Sequence, residues 1–71
     1  MKRIDTRGEH PYSPLIPALM GLNQAAPGEL VQIVLDQAEA FHDLKEYLSE
    51  QQIGFREVYD GDALSLEFHK P

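Results

Sequence analysis

The sequence predicts an α+β two-layer sandwich with the element order β-α-β-α-β-β, in which a four-stranded mixed sheet carries both helices on one face. Residues 30–35 form a continuous apolar run, which is typical of a central strand buried on both faces. Two segments, residues 15–26 and 39–48, carry apolar side chains at helical spacing. Apolar and polar residues alternate in residues 64–69, which indicates a last strand with one buried face.

The ends of the first strand and first helix are marked by residues with special backbone preferences. Residues 2–6 suit a short strand. Ser13 and Pro14 favour a helix start, because serine is a good N-cap and proline fits the first helical position. Pro27 and Gly28 are predicted to stop this helix.

The second half of the chain is predicted in the same way. Asp36 and Glu39 have the spacing of a capping box, so the second helix should begin there. Gly54 follows the helical pattern and is expected to adopt a left-handed conformation. Residues 55–59 suit a third strand, and the Asp-Gly-Asp of residues 60–62 is a hairpin turn signal.

The composition of the chain excludes several classes of function. The 71 residues are expected to form a single domain, residues 1–71. The net charge is −6 and the six cations are scattered, which argues against nucleic acid as a partner. No apolar run is long enough to span a membrane, and no secretory signal is visible. The chain has no cysteine, which excludes disulfides and thiolate metal sites. We therefore expect a cytoplasmic protein without a cofactor.

The segment that joins the first strand to the first helix resembles the TusA/SirA-type sulfur-carrier family. Members carry the pattern Asp-x-Arg-Gly-x-x-Cys-Pro-x-Pro at this place, and Asp5, Arg7, Gly8 and Pro14 stand at matching positions. Further matches to the family are the Pro-Gly-Glu of residues 27–29, Asp36, Asp43 and Gly54. The resemblance covers essentially the whole chain and implies the same fold.

The sequence departs from the family at the residue that carries its chemistry. The resemblance places the family's cysteine at Pro11 and the following proline at Tyr12. In the family, that cysteine accepts a persulfide from a donor, typically a cysteine desulfurase, and passes it on. Proline has no thiol, and no other cysteine can replace it. Persulfide transfer by this chain is therefore excluded, and we assign no catalytic residue.

Three other kinds of chemistry are conceivable at this helix start. His10 could serve as a base or metal ligand, but a solvent-exposed loop histidine is the simpler interpretation. Ser13 could be a nucleophile, but N-capping alone explains it. Arg7 and the helix N-terminus could hold an anion, but the prolines at 11, 14 and 17 remove amide donors.

The remaining interpretation is recognition by another protein. We call residues 7–13 the interaction loop, and its candidate residues are Arg7, His10, Pro11, Tyr12 and Ser13. The acidic face of the second helix could add a docking surface for a basic partner. The sequence thus favours a non-catalytic, protein-binding or regulatory member of the family. The alternatives are an enzyme or carrier that uses His10, Ser13 or a metal, and a structural subunit of an oligomer. We expect a monomer or a weak homodimer.

Overall fold

The structure of the chain, a computed structural model, describes residues 1–8 and 11–71. Its elements are β1 Lys2–Asp5, α1 Leu15–Gln24, β2 Leu30–Leu35, α2 Ala38–Glu50, β3 Arg56–Asp60 and β4 Ala63–His69. The strands form one sheet in the order β1-β2-β4-β3. β1 pairs with β2 in parallel, whereas β4 pairs antiparallel with both β2 and β3. The predicted fold class and element order are confirmed.

The hydrophobic core lies between one face of the sheet and both helices. Every second residue of β2 points into it, and Val31, Ile33 and Leu35 are completely buried. Leu44 and Leu48 of α2 are buried in the same cluster. Ala18 and Leu22 of α1 belong to this cluster too, so both helices cover the same face of the sheet, as right-handed crossovers require.

The start of α1 follows the sequence prediction closely. Pro14 has helical angles (φ −61°, ψ −16°) immediately before the helix begins at Leu15. The hydroxyl of Ser13 accepts a hydrogen bond from the Leu15 amide at 3.2 Å. Ser13 therefore acts as the cap that the sequence predicts, with Pro14 as the residue that enters the helix.

The end of α1 comes earlier than Pro27 and Gly28 predict. The helix ends at Gln24, and Ala25 is already extended (φ −71°, ψ 148°). The ammonium group of Lys70 donates to the Leu22 carbonyl oxygen at 2.8 Å, so a cation close to the helix end satisfies a terminal carbonyl. This contact joins residues 48 positions apart and could not be inferred from local sequence.

The predicted capping box of α2 is wrong. Gln37, with extended backbone angles, is the N-cap, and its side chain makes no capping hydrogen bond. Oδ2 of Asp36 instead accepts the backbone amide of Gly8 at 3.1 Å. The Asp36 carboxylate therefore binds Gly8, a residue distant in sequence, instead of capping the helix as its local spacing predicts.

The predicted left-handed turn at Gly54 is also wrong, because the positive φ lies at Gln52 (58°). The amide of Gln52 donates to the Ser49 carbonyl (3.1 Å), and the amide of Ile53 donates to the Leu48 carbonyl (2.9 Å). This pair of bonds is the Schellman motif, with a glutamine where glycine is usual.

Within the described residues, no helix has the length and apolar character needed to cross a membrane.

Candidate functional site

The interaction loop begins where β1 is tied to the centre of the sheet. Thr6 is 3% exposed, and both its amide and its hydroxyl donate to the Val34 carbonyl oxygen at 2.9 Å. A buried side chain held in this way fixes the direction in which the chain leaves the strand. The loop therefore departs from a rigid point of the fold.

Arg7 is held by Asp5, two residues before it. Its Nε and Nη2 donate to the two carboxylate oxygens of Asp5 at 2.9 and 2.7 Å, and its amide donates to Oδ1 at 3.0 Å. The side-chain and backbone hydrogen bonds from Arg7 lower the pKa of Asp5 from its ordinary 3.8 to about 2. The same ion pair raises the pKa of Arg7. The guanidinium is thus already paired with a carboxylate, which leaves it poorly suited to hold an external anion.

Gly8 turns the chain away from the strand with a φ of +106°. A Cβ atom at this position would meet no atom within 4 Å, so the backbone angle rather than a lack of space calls for glycine. The Gly8 amide donates to Asp36, which directly follows β2. Asp5 and Asp36 together fix the first two residues of the loop by four hydrogen bonds, three from Arg7 and one from the Gly8 amide.

The N-terminus of α1 offers no spare amide. Pro14 and Pro17 have no N–H group. The Leu15 amide donates to the Ser13 hydroxyl, and the Ile16 amide donates to the Ser13 carbonyl at 3.0 Å. Anion binding at a helix start depends on free N–H groups, and the first turn of α1 has each of its donors removed or used. The anion-binding alternative is therefore unsupported by the geometry.

Every loop residue that the structure describes, residues 7–8 and 11–13, is exposed, and Tyr12 is the one large hydrophobic side chain among them. Pro11 is exposed, and the Tyr12 side chain is 50% exposed. His10 lies outside the described residues, so its predicted place in the interaction loop stays a prediction.

A cleft of about 250 Å³ separates the loop from the start of α2. One wall carries Tyr12 and Ser13, and the other carries Glu39 and Asp43. Both acidic residues are exposed. The charged side chains among the described residues that line this cleft are therefore carboxylates, which disfavour an anion and favour a positively charged group.

The two histidines that the structure describes do not meet. His42 lies on α2 and pairs with Glu46 at 3.3 Å, whereas His69 is the last residue of β4. Among residues 1–8 and 11–71, no three histidine, cysteine, aspartate or glutamate side chains group together as metal ligands would. The alternative of a metal at this helix start gains no support from these residues.

The fold and the loop define a small α+β domain in which an Asp-x-Arg-Gly turn leads from β1 into a proline-started helix. The chain matches the family model described as Sulfurtransferase TusA over residues 2–69, and it belongs to this family. No curated protein and no solved structure matches the chain. The resemblance drawn from the sequence is thus confirmed for a member without the family cysteine.

Sequence reasoning identified Arg7, Tyr12 and Ser13 but missed the residues that surround them. Asp36 was assigned to a helix cap, although its position directly after the central strand places it beside the end of β1, which runs parallel to it. Glu39 and Asp43 belong to the acidic face of the second helix, for which the sequence leaves open a docking surface for a basic partner, but the sequence does not place this face beside Tyr12. Their place beside Tyr12 follows from the packing of α2 next to α1, which no local pattern encodes.

Proposed function

We propose that this chain is a TusA-family protein that carries no sulfur and binds a protein partner through the interaction loop and the acidic cleft beside it. One observation carries the proposal: the turn that presents the loop is fixed by two carboxylates, while Pro11 occupies the position of the family cysteine. Asp5 and Asp36 hold the loop in a fixed shape although it presents no thiol, which supports a role for the surface of the loop itself.

The chemistry of the loop argues against a carrier role. A persulfide carrier needs a cysteine, and the chain has none. A thiolate at a helix start is stabilised by free amides, and the amides of Leu15 and Ile16 are both used by Ser13. Both the nucleophile and the donors that would activate it are therefore missing from the described first turn.

The surface of the loop supports recognition of a protein. Tyrosine contributes contact area and a hydroxyl at a small cost in conformational entropy, and the Tyr12 side chain is half exposed. Gly8 and Ser13 are each held by a hydrogen bond, so these two ends of the loop require little ordering on binding. Glu39 and Asp43 give the adjacent cleft a negative charge, which favours a partner that inserts a lysine or arginine.

The partner we propose to test first is a cysteine desulfurase that donates sulfur to the cysteine-bearing carriers of the family. A chain that presents the family's loop without its thiol would occupy the carrier's docking surface and slow sulfur transfer. This regulatory role would be measured as inhibition: the chain is added to a cysteine desulfurase, cysteine and a cysteine-bearing TusA-family carrier, and persulfide on the carrier is followed by mass spectrometry. Unchanged carrier loading at a large excess of this chain would contradict the regulatory role.

The absence of sulfur transfer has its own test. The chain is incubated with the desulfurase and cysteine, and its intact mass is measured with and without reductant. We expect no gain in mass for the natural chain, whereas Pro11→Cys provides the matched variant with a thiol at the same place. A reducible gain of one sulfur atom on the natural chain would overturn the proposal.

Binding through the loop is tested by titration calorimetry with the same desulfurase. Tyr12→Ala should weaken binding at least tenfold, because aromatic side chains at interface centres commonly carry more than 1.4 kcal/mol, on the order of a tenfold change. Tyr59→Ala is the matched control, since Tyr59 is 63% exposed on β3 and lies outside both the loop and the cleft. Equal affinity of the natural chain and Tyr12→Ala would contradict binding through this loop.

The cytoplasmic location and the exclusion of nucleic acid stay predictions. Both rest on composition, chiefly the absence of cysteine and the net charge of −6.

A further inference from the structure

β1 lies at an edge of the sheet, and only β2 pairs with it in the described part of the chain. The amide of Thr6 donates to Val34 of β2, so Thr6 faces β2. Successive strand residues direct their N–H and C=O groups to alternate sides, so Ile4 also faces β2. Arg3 and Asp5 consequently direct their backbone groups to the open edge. Two residues of β1 thus offer four groups for pairing with another strand.

An exposed apolar surface adjoins this open edge. Five large hydrophobic side chains are exposed in the described residues, and Met1, Tyr12, Ile16 and Met20 are four of them. Met1 precedes β1, and the other three line a groove of about 530 Å³ between α1 and the strand edge. An open strand edge next to exposed apolar side chains is a surface that invites a partner strand.

We propose that this edge pairs with a second copy of the chain, β1 against β1 in antiparallel orientation, with Arg3 opposite Asp5 of the second copy. Only registers that align outward-facing residues form hydrogen bonds. Arg3 and Asp5 of the two copies can be aligned with one another in three ways. One places Arg3 opposite Arg3, and another places Asp5 opposite Asp5, and like charges directly opposite each other are destabilising. The third places Arg3 opposite Asp5 twice, once on each side of Ile4.

The pairing is self-complementary in its apolar part as well. In this register Ile4 lies opposite Ile4 of the second copy at the two-fold axis, on the helix-covered face of both sheets. Both copies of α1 then lie on the same side of the continuous sheet. Their exposed Ile16 and Met20 side chains, 50% and 57% exposed, meet across the axis, as an isologous interface requires.

The other sheet edge is a poorer candidate. Among the described residues, Tyr59 is the one large exposed hydrophobic side chain on β3. A four-residue strand and one helix face are a small contact compared with the ~800 Å² per partner of a standard interface, so the dimer is weak and reversible.

Charge exchange tests the register. Sedimentation velocity from about 1 μM to 1 mM should show reversible dimerisation of the natural chain, a range that spans weak association. Arg3→Glu and Asp5→Lys should each dissociate at least tenfold more readily, because each places like charges opposite each other. An equimolar mixture of the two variants should dimerise again, since both contacts are then oppositely charged. A natural chain that stays monomeric at 1 mM, or a mixture that does not associate, would overturn the proposal.

The apolar part is tested on α1 with variants that add the same charge. Ile16→Glu should abolish dimerisation, whereas Asn23→Glu, at an exposed α1 position outside the groove, should leave it unchanged. Thermal melts of each monomer exclude unfolding as the cause. Dimerisation that survives Ile16→Glu but is lost in Tyr59→Ser would assign the contact to β3 and contradict the inference. The dimer goes beyond the proposed function. Tyr12 lines both surfaces, but Arg3 and Ile16 lie outside the interaction loop, so the dimer tests fail or succeed separately from the Tyr12→Ala test.

Discussion

Gly21 of α1 packs directly against Ile4 of β1. A Cβ atom at Gly21 would lie 2.7 Å from Cγ1 of Ile4 and closer still to its Cδ1 atom. Gly21 is buried although it lies inside a helix, where glycine is unfavourable. The absence of a side chain therefore lets α1 approach the edge strand, and this approach sets one wall of the groove beside β1.

Gly21→Ala should destabilise the chain despite the better helix propensity of alanine. Propensity favours alanine by about 1 kcal/mol, whereas forcing an extra methyl group into a packed contact costs about 1–3 kcal/mol. We expect a net loss of about 1 kcal/mol in the free energy of unfolding, measured by urea denaturation. Combining it with Ile4→Ala should remove the clash, so a double-mutant cycle should show a favourable coupling of about 1 kcal/mol or more. Simple additivity of the two changes would contradict the close contact.

The Asp5–Arg7 pair should make stability depend on pH in the acid range. The pKa of Asp5 is about 2 in the folded chain and 3.8 in its ordinary state, so folding favours the ionised carboxylate. The contribution is present in full above pH 3.8 and is lost as the pH falls towards about 2. Both side chains are about two-fifths exposed, at 39% and 43%, so salt should screen much of it.

The measurement for this pair is an NMR titration of the Asp5 carboxyl group. In Arg7→Gln we expect its pKa to rise towards 3.8, and the loss of stability between pH 4 and pH 2 to become shallower. Arg56→Gln is the matched control, because it removes the same charge from a distant ion pair. An Asp5 pKa that is the same in the natural chain and in Arg7→Gln would contradict the bidentate contact.

Gln52→Gly should stabilise the chain. A left-handed residue with a side chain carries a strain of about 1–2 kcal/mol, and glycine removes it at a somewhat smaller entropic cost. The expected gain is roughly 0.5–1 kcal/mol in the free energy of unfolding, read from thermal or urea denaturation. Gln51→Gly is the control, since Gln51 has a φ of −83° and should only lose stability. A loss of stability in Gln52→Gly would show that the Schellman turn is misassigned.

Asp36→Ala should loosen the start of the interaction loop. The hydrogen bond from the Gly8 amide to a carboxylate is exposed, so its loss should cost about 1 kcal/mol. Amide hydrogen exchange at Gly8 should accelerate, while Asp36→Asn, which keeps an acceptor, should restore part of the protection. Glu50→Ala removes the same charge at the exposed end of α2 and should change stability by less than about 0.5 kcal/mol. Unaltered Gly8 exchange in Asp36→Ala would contradict the link.

The sequence predicted the elements well because their signals are local. The apolar run of β2, the alternation in β4 and the Ser13–Pro14 helix start depend on a residue and its near neighbours. The wrong prediction of a capping box at the start of α2 has another cause. Asp36 could cap a helix or bind the Gly8 amide, and only the pairing of β1 with β2 decides between them.

The candidate site divides along the same line. One short segment contains Arg7, Tyr12 and Ser13, and its prolines and glycine predict a loop of restricted backbone shape. The acidic wall formed by Glu39 and Asp43 belongs to an element that reaches the loop only through packing. The turn at Gln52 was missed because a glycine two residues later is the more common residue for that conformation.

The contact between Lys70 and Leu22 links the last strand to the first helix and bears on how the chain acquires its structure. The Leu22 carbonyl already accepts the Ala25 amide, and it gains Lys70 as a second partner only after β4 has joined the sheet, since Lys70 also pairs its backbone with Gly28 and Glu29. A ten-residue helix is marginal on its own in water. Completion of α1 therefore belongs to the late, non-local stage of folding, and exchange at its C-terminal amides should follow global rather than local opening.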